Sequence, residues 1–233
     1  MKLILVLAIV ILLGLLLGFL FYNGRIRFNY PNKDEFPLLG IDISHHQGKV
    51  RWEELRTEKI SFVIIKATEG ADYKDSKFTD NWAASKKENY KTGAYHFYRL
   101  CKVGKEQAEN FISVVPRGDE NLPPAVDLEF GGNCKTSKSK VETLAEIQEF
   151  LKILEDHYQK KPIIYATNEF YEEFLLNEFK EYPIWIRNIY KRPKLEEGRN
   201  WFIWQFANRG HLHGIHGFVD LNVIHGKSME ILQ

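Results

Sequence analysis

Residues 123–130 read Pro123-Pro124-Ala125-Val126-Asp127-Leu128-Glu129-Phe130, which sets two carboxylates at i and i+2 in an otherwise apolar run. Side chains alternate along a strand, so Asp127 and Glu129 share one face while Val126 and Leu128 take the other. Gly40-Ile41-Asp42-Ile43-Ser44 and Gly217-Phe218-Val219-Asp220-Leu221-Asn222 repeat the pattern, with polar side chains on one face and apolar ones on the other. Several carboxyls gathered out of water without lysines raise one another's pKa, because burial and repulsion both disfavour the charged form. A protonated acid beside an ionised one suits glycoside hydrolysis: one carboxyl protonates the leaving oxygen and the other assists at the sugar. Taken singly, each Asp has a plainer use as the cap of a turn or helix. Clustered carboxylates also suit a divalent cation. An Asp-x-Glu pair within a strand, joined by two more acids on the same rim, favours catalysis over both. The strand rise puts the pair about 6.5–7 Å apart, outside the short nucleophile distance and near the inverting range, so spacing alone leaves the stereochemistry open.

The elements that must position these acids are legible as short apolar runs alternating with helical patterns. Candidate strands cover residues 38–44, 62–68, 92–98, 124–130, 162–167, 184–189, 201–207 and 218–223. Most are nearly continuous apolar runs, as expected of parallel strands buried on both faces. Helices fit between the first six, near 51–58, 78–89, 105–114, 139–158 and 169–179. The clearest carries Val141, Leu144, Ile147, Leu151 and Leu154 along one face. The last two gaps are too short for helical crossovers, which need a dozen or more residues. The expected fold is α/β: a modified TIM-like barrel of eight strands and about five helices, its last strands lacking crossover helices. Chemistry in such barrels sits at the carboxyl ends of the strands, and closure makes the first and eighth strands neighbours, bringing Asp42 beside Asp220. An open doubly wound sheet is the alternative, but no Gly-rich phosphate loop supports it.

Charge and composition limit the partners. The 233 residues hold 32 Lys+Arg against 31 Asp+Glu, a balance that gives no basis for nucleic-acid binding. Leu3 to Tyr22 is a run of 20 uncharged residues, 18 of them hydrophobic and two of them glycines. At about 1.5 Å per residue it spans about 30 Å, one hydrocarbon core. The run is longer than the apolar region of a cleaved secretory signal, and its bulky exit, Phe19-Leu20-Phe21-Tyr22, lacks a small-residue cleavage site. Residues 1–23 are therefore expected to form an N-terminal signal anchor or transmembrane helix, 24–37 a polar tether, and 38–233 the barrel. Lys2 lies on one side of the run and Arg25 and Arg27 on the other, so the positive-inside rule does not orient it.

An ordered series of motifs resembles glycoside hydrolase family 25 lysozymes, the Chalaropsis-type N-acetylmuramidases. The motifs are Gly40-Ile41-Asp42-Ile43-Ser44-His45-His46-Gln47-Gly48, Phe62-Val63-Ile64-Ile65-Lys66-Ala67-Thr68-Glu69-Gly70 and Gly93-Ala94-Tyr95-His96-Phe97. Pro124-Ala125-Val126-Asp127-Leu128-Glu129, Pro162-Ile163-Ile164-Tyr165, Trp204-Gln205-Phe206 and Gly217-Phe218-Val219-Asp220-Leu221-Asn222 complete the series. The resemblance covers nearly all of residues 38–226. It implies hydrolysis of the β-1,4 bond between N-acetylmuramic acid and N-acetylglucosamine in peptidoglycan. Glu129 would be the general acid and Asp127 would assist the substrate acetamido group, with Asp42 and Asp220 supporting the pair. No cofactor and no metal are implied, a monomer is expected, and the substrate would put the barrel on the periplasmic or extracellular side of the membrane. A hydrolase of another amino-sugar glycan and a non-catalytic glycan-binding barrel are the alternatives. The sequence departs from the family pattern at Arg187, where a small residue is usual.

Further candidates lie near strand ends. Tyr165, Tyr98, Trp185 and Trp204 offer flat rings for the C–H faces of sugars, or ordinary barrel packing. Gln205 and His45 join them as substrate-binding candidates from the matching motifs. His211, His213 and His216 read as a solvated rim loop rather than a metal site. Cys101 and Cys134 follow adjacent strands, within reach of a disulfide in an oxidising compartment, with two free buried thiols as the alternative.

Overall fold

The computed structural model describes residues 2–224 and Gly226. A free-standing helix α1 (Lys2–Tyr22) precedes β1 (Leu39–Ile43), α2 (Trp52–Leu55), β2 (Phe62–Glu69), β3 (Tyr73–Lys74) and α3 (Phe78–Lys87). There follow β4 (Lys91–Phe97), α4 (Gly104–Ile112), β5 (Ala125–Leu128), α5 (Lys140–Tyr158), β6 (Ile163–Thr167), α6 (Asn168–Phe170), β7 (Ile184–Arg187), β8 (Ile203–Gly210) and β9 (Val219–Ile224). Eight strands close a barrel in the order β1-β9-β8-β7-β6-β5-β4-β2, the ring completed by β1 against β2; β3 is a two-residue arm hydrogen-bonded to β2. The expected barrel is present. The helix expected over 169–179 is shorter, one turn of α6 followed by a π-helical turn over Tyr171–Leu175.

One strand corrects the all-parallel expectation. β9 runs antiparallel to both β1 and β8. An eight-residue connection is too short for a crossover but ample for a hairpin, so the chain turns back instead. Asp220 therefore stands near the start of β9, yet at the same rim as the carboxyl ends of the parallel strands. The ladder sets Asp42 directly opposite Asp220.

Alternation divides the barrel into two cores. Ile41, Ile43, Val126, Leu128, Val219 and Leu221 point outward, into the layer between sheet and helices. Phe62, Ile64, Ala125, Ile163, Tyr165, Trp185, Ile203 and Ile224 fill the interior. Gly40 makes this filling possible, since a Cβ there would collide with the Phe62 ring. The capping box of α5 fixes its start: Ser139 accepts from the Glu142 amide while the Glu142 carboxylate accepts from the Ser139 amide. The helix then buries Ile147, Phe150, Leu151 and Leu154, whereas Val141, expected on that face, is exposed in the first turn.

The missing crossover helices have a substitute. Residues 24–37, expected to be a polar tether, lie against the outside of β8. Asn29 Nδ2 donates to the Phe206 carbonyl at 2.8 Å, Tyr30 meets the Phe206 ring edge-on, and Phe36 stacks on Trp201 and meets Trp204. Phe36 is buried by these contacts.

Candidate active site

A cavity of about 520 Å³ opens at the rim formed by the carboxyl ends of the parallel strands. Asp42, Asp127, Glu129 and Asp220 all line it, with His46, Lys66, Tyr95, Phe97, Tyr165, Trp185, Arg187, Gln205 and Asn208 among the other walls. Asp127 is the penultimate residue of β5, and Glu129 follows immediately beyond the strand's last residue, Leu128. The loop after Glu129 is held in place: Asn133 Nδ2 donates to the Glu129 carbonyl at 2.9 Å and to the Tyr98 carbonyl at 2.8 Å. The Cys101–Cys134 disulfide ties this loop to the one that follows β4.

Asp42 is the most constrained of the four acids. Its Oδ2 accepts from Gln205 Nε2 at 3.0 Å and from Asn222 Nδ2 at 2.7 Å. Each donor is itself held from behind: Tyr165 Oη donates to Gln205 Oε1 at 3.1 Å, and Trp185 Nε1 donates to Asn222 Oδ1 at 2.8 Å. The aromatic pair thus sets the amide orientations, and the amides set the carboxylate. Asp127 is the opposite case. Its Oδ1 is buried and has no hydrogen-bond partner. A buried carboxyl oxygen without a donor is costly, and it disfavours the ionised form of this side chain.

All four acids are shifted upward. Burial pushes Asp42 up to about 6, opposed by its two amide donors and by Arg187. Burial raises Asp127 well above the carboxylate range, helped by the neighbouring charges of Glu129 and Asp42 and opposed by Lys66. Asp220 rises well above that range through burial and Asp42. Glu129 is raised chiefly by burial, with Arg187 pulling the other way. The rim therefore holds carboxylic acids that keep their protons at higher pH than free carboxyls do.

The expectation of acids without basic company fails at two residues. Lys66 points into the cavity, its Nζ 2.7 Å from Glu69 Oε2 and 4.9 Å from the centre of the Phe97 ring. Lys66 faces inward by simple alternation with Phe62 and Ile64, and a bulge between Lys66 and Thr68 in the β2–β4 pairing brings Glu69 to the same side. Arg187, the last residue of β7, adds a guanidinium to the wall.

Among the aromatic and polar candidates, Tyr165, Trp185 and Gln205 line the cavity. Tyr98 does not: it is buried among helix-facing residues and meets Phe150 edge-on, because it lies one position out of step with the inward Tyr95 and Phe97. Trp204 also faces outward, opposite in alternation to Gln205, and its Nε1 donates to the Asn188 carbonyl. His45 turns away to Asp75, with its Nδ1 2.7 Å from Oδ2, and the neighbouring His46 is the one that reaches the cavity. In the rim loop His211 contacts the Asn23 carbonyl and His213 lies near Glu58, so the rings diverge. Among the described residues no group of three His, Cys, Asp or Glu side chains is arranged to hold a metal ion. Sequence reasoning did not select His46, Lys66, Tyr95, Phe97, Arg187, Asn208 or Asn222 as site residues. For Asn222 the signal was there, since it shares a face with Asp220.

Comparison with known proteins agrees with this geometry. The model of glycosyl hydrolases family 25 matches residues 41–215. The protein YegX of Escherichia coli K12 is 33% identical over 201 residues, covering 84% of this chain and 72% of its own. Lysozyme M1 of Streptomyces globisporus is 29% identical over 211 residues, covering 85% of this chain and 71% of its own. The solved structure of a family 25 glycosyl hydrolase from Bacillus anthracis superposes with a TM-score of 0.82 at 35% identity, over 88% of this chain and 97% of that one.

Proposed function

The chain belongs to glycosyl hydrolases family 25, and from that premise we propose that it is a peptidoglycan muramidase cutting the β-1,4 bond on the reducing side of N-acetylmuramic acid. Glu129, whose carboxyl burial pushes upward, donates its proton to the glycosidic oxygen. Asp127 accepts a hydrogen bond from the acetamido N–H of the N-acetylmuramic acid and orients that group so that its carbonyl oxygen attacks the anomeric carbon of the same sugar. The leaving sugar departs with the proton from Glu129. Water, deprotonated by the Glu129 carboxylate, then opens the cyclic intermediate. Asp42 and Asp220 hold the electrostatic balance of the pair, while Tyr165 and Trp185 supply apolar walls for the sugar rings. The observation that carries this reading is the pair Asp127 and Glu129, one alternation step apart, on the wall of a single cavity that Asp42 and Asp220 also line. The name of lysozyme M1 among the relatives supports the substrate class.

In the same reading α1 is retained as a membrane anchor and the barrel works as a monomer on the outer side of the cytoplasmic membrane. The length and apolarity of α1 support the anchor. The test is digestion of purified peptidoglycan by residues 24–233, followed by borohydride reduction. Muramitol ends are expected; glucosaminitol ends would mean the other bond is cut. Retained glycan binding without products would identify a binding module instead.

A further inference from the structure

We propose that the barrel rim at the β8–β9 hairpin docks on the lipid surface that α1 enters, so that the active-site cleft opens at the membrane–water interface. The proposal rests on α1 being a membrane anchor and adds the orientation of the enzyme on it. None of the 21 residues of α1 is buried against the barrel, so its apolar surface must find its surroundings elsewhere.

The exit from α1 is fastened to the rim. The Arg209 guanidinium donates to the Tyr22 carbonyl and lies 4.0 Å from the centre of the Tyr22 ring. A His211 ring nitrogen is 2.7 Å from the Asn23 carbonyl oxygen. Gly24, at φ +68°, packs so closely on Arg209 that a Cβ would collide with its carbonyl. Arg27 then reaches Asn208 Oδ1 at 3.5 Å. Asn208 is a wall of the catalytic cavity. Consecutive residues of one strand thus line the cleft and hold the end of the spanning helix. If Tyr22 lies at the headgroup level, residues 208–211 lie there too.

The exposed chemistry around this junction fits a lipid interface. Tyr22, Phe28 and Phe218 are 65%, 90% and 40% exposed, and the Arg209 guanidinium lies 5.6 Å from the centre of the Phe218 ring. Aromatic rings mixed with arginine are the side chains that collect at the headgroup level, where rings bury their apolar bodies and guanidiniums meet phosphates. The other end of the barrel, where the loop 116–124 leads into β5, points away. A glycan strand in the cleft would then lie along the membrane surface, and the enzyme would act on the strands nearest the bilayer.

Depth-dependent fluorescence tests this. The described residues contain no free cysteine, so one added thiol is selectively labelled in the oxidised full-length chain. His216→Cys marks the hairpin and Asp119→Cys the opposite end; both sites are exposed. Each is labelled with an environment-sensitive dye and reconstituted into phosphatidylcholine–phosphatidylglycerol vesicles containing headgroup spin labels. Expected are flotation of both with the vesicles and quenching at 216 exceeding that at 119 by about twofold or more, as a rim at the interface requires. Adding Arg209→Ala and His211→Ala is expected to reduce the quenching at 216 toward the level at 119 without loss of flotation. Flotation with equal quenching at both sites overturns the docked orientation and leaves the anchor standing. A chain that fails to float overturns the anchor, and the proposal with it. Quenching at 216 that survives the double substitution overturns the assignment to these contacts.

Discussion

Substituting Asp42 by Asn keeps the shape of the side chain but removes a buried charge. In the folded protein Asp42 titrates at about 6 against an ordinary value of 3.8. A raised carboxyl stabilises the fold fully below its unfolded pKa, and that contribution is lost as pH rises through the folded pKa. The shift corresponds to about 3 kcal/mol of stability lost between about pH 4 and pH 7. The variant has no such loss at this position. The stability difference, variant minus wild type, is therefore expected to grow by about 3 kcal/mol in the variant's favour from pH 4 to pH 7.5, whatever its value at pH 4. Removing the charge also relieves Asp220, Asp127 and Glu129, which Asp42 pushes upward, and this acts in the same direction. For a barrel of this size the change equals a relative gain of about 6–12 °C in Tm. Urea unfolding of residues 24–233 at four pH values measures it. A pH-independent difference would refute the claim that Asp42 is ionised at neutral pH at a cost to the fold. Turnover is expected to fall despite the gain in stability, since the amides of Gln205 and Asn222 are oriented toward a carboxylate.

Glu129→Gln is expected to lower kcat by about 10²–10⁴-fold while glycan binding persists, and near-normal turnover would remove Glu129 from the acid role. Arg187→Ala takes away a charge that holds Glu129 down, so the acid keeps its proton to higher pH. The alkaline limb of the kcat profile should move upward, and a downward move would reverse the assigned electrostatics. Replacing Cys101 and Cys134 by Ser opens a loop of sequence separation 33 and is expected to cost about 3–4 kcal/mol, read as a lower urea midpoint. An unchanged midpoint would show that the bond adds nothing to Asn133 in holding that loop.

The placement of the acids was legible because alternation is a local rule. Val126 and Leu128 facing the helices oblige Asp127 and Glu129 to face inward. The same rule, applied throughout, separates the aromatic candidates: adjacent Trp204 and Gln205 cannot both face the cavity, nor can Tyr98 accompany Tyr95 and Phe97. The direction of β9 is not written in alternation, which reads the same either way along the chain; only the shortness of the preceding connection hinted at it. Lys66 was hidden for another reason. It sits in an apolar run, where alternation with Phe62 and Ile64 turns it inward, but its partner Glu69 reaches that side only through a bulge, a one-residue irregularity of pairing that no periodicity announces. Arg187 stood out as a departure from a family pattern, but its charge gained meaning only once β7 was set beside the acids.

The strap over β8 alters where the enzymatic unit begins. Cutting the gene at the first strand looks natural, yet a product starting at Leu38 would lose Phe36 and Tyr30 and uncover Trp201, Trp204 and Phe206 together. Reburying a side chain such as Phe36 is worth about 1.5–3 kcal/mol, and the bared rings would form a sticky aromatic stripe. A form starting at Gly24 keeps these rings covered. The residues between α1 and the barrel serve less as a leash than as the barrel's missing outer layer.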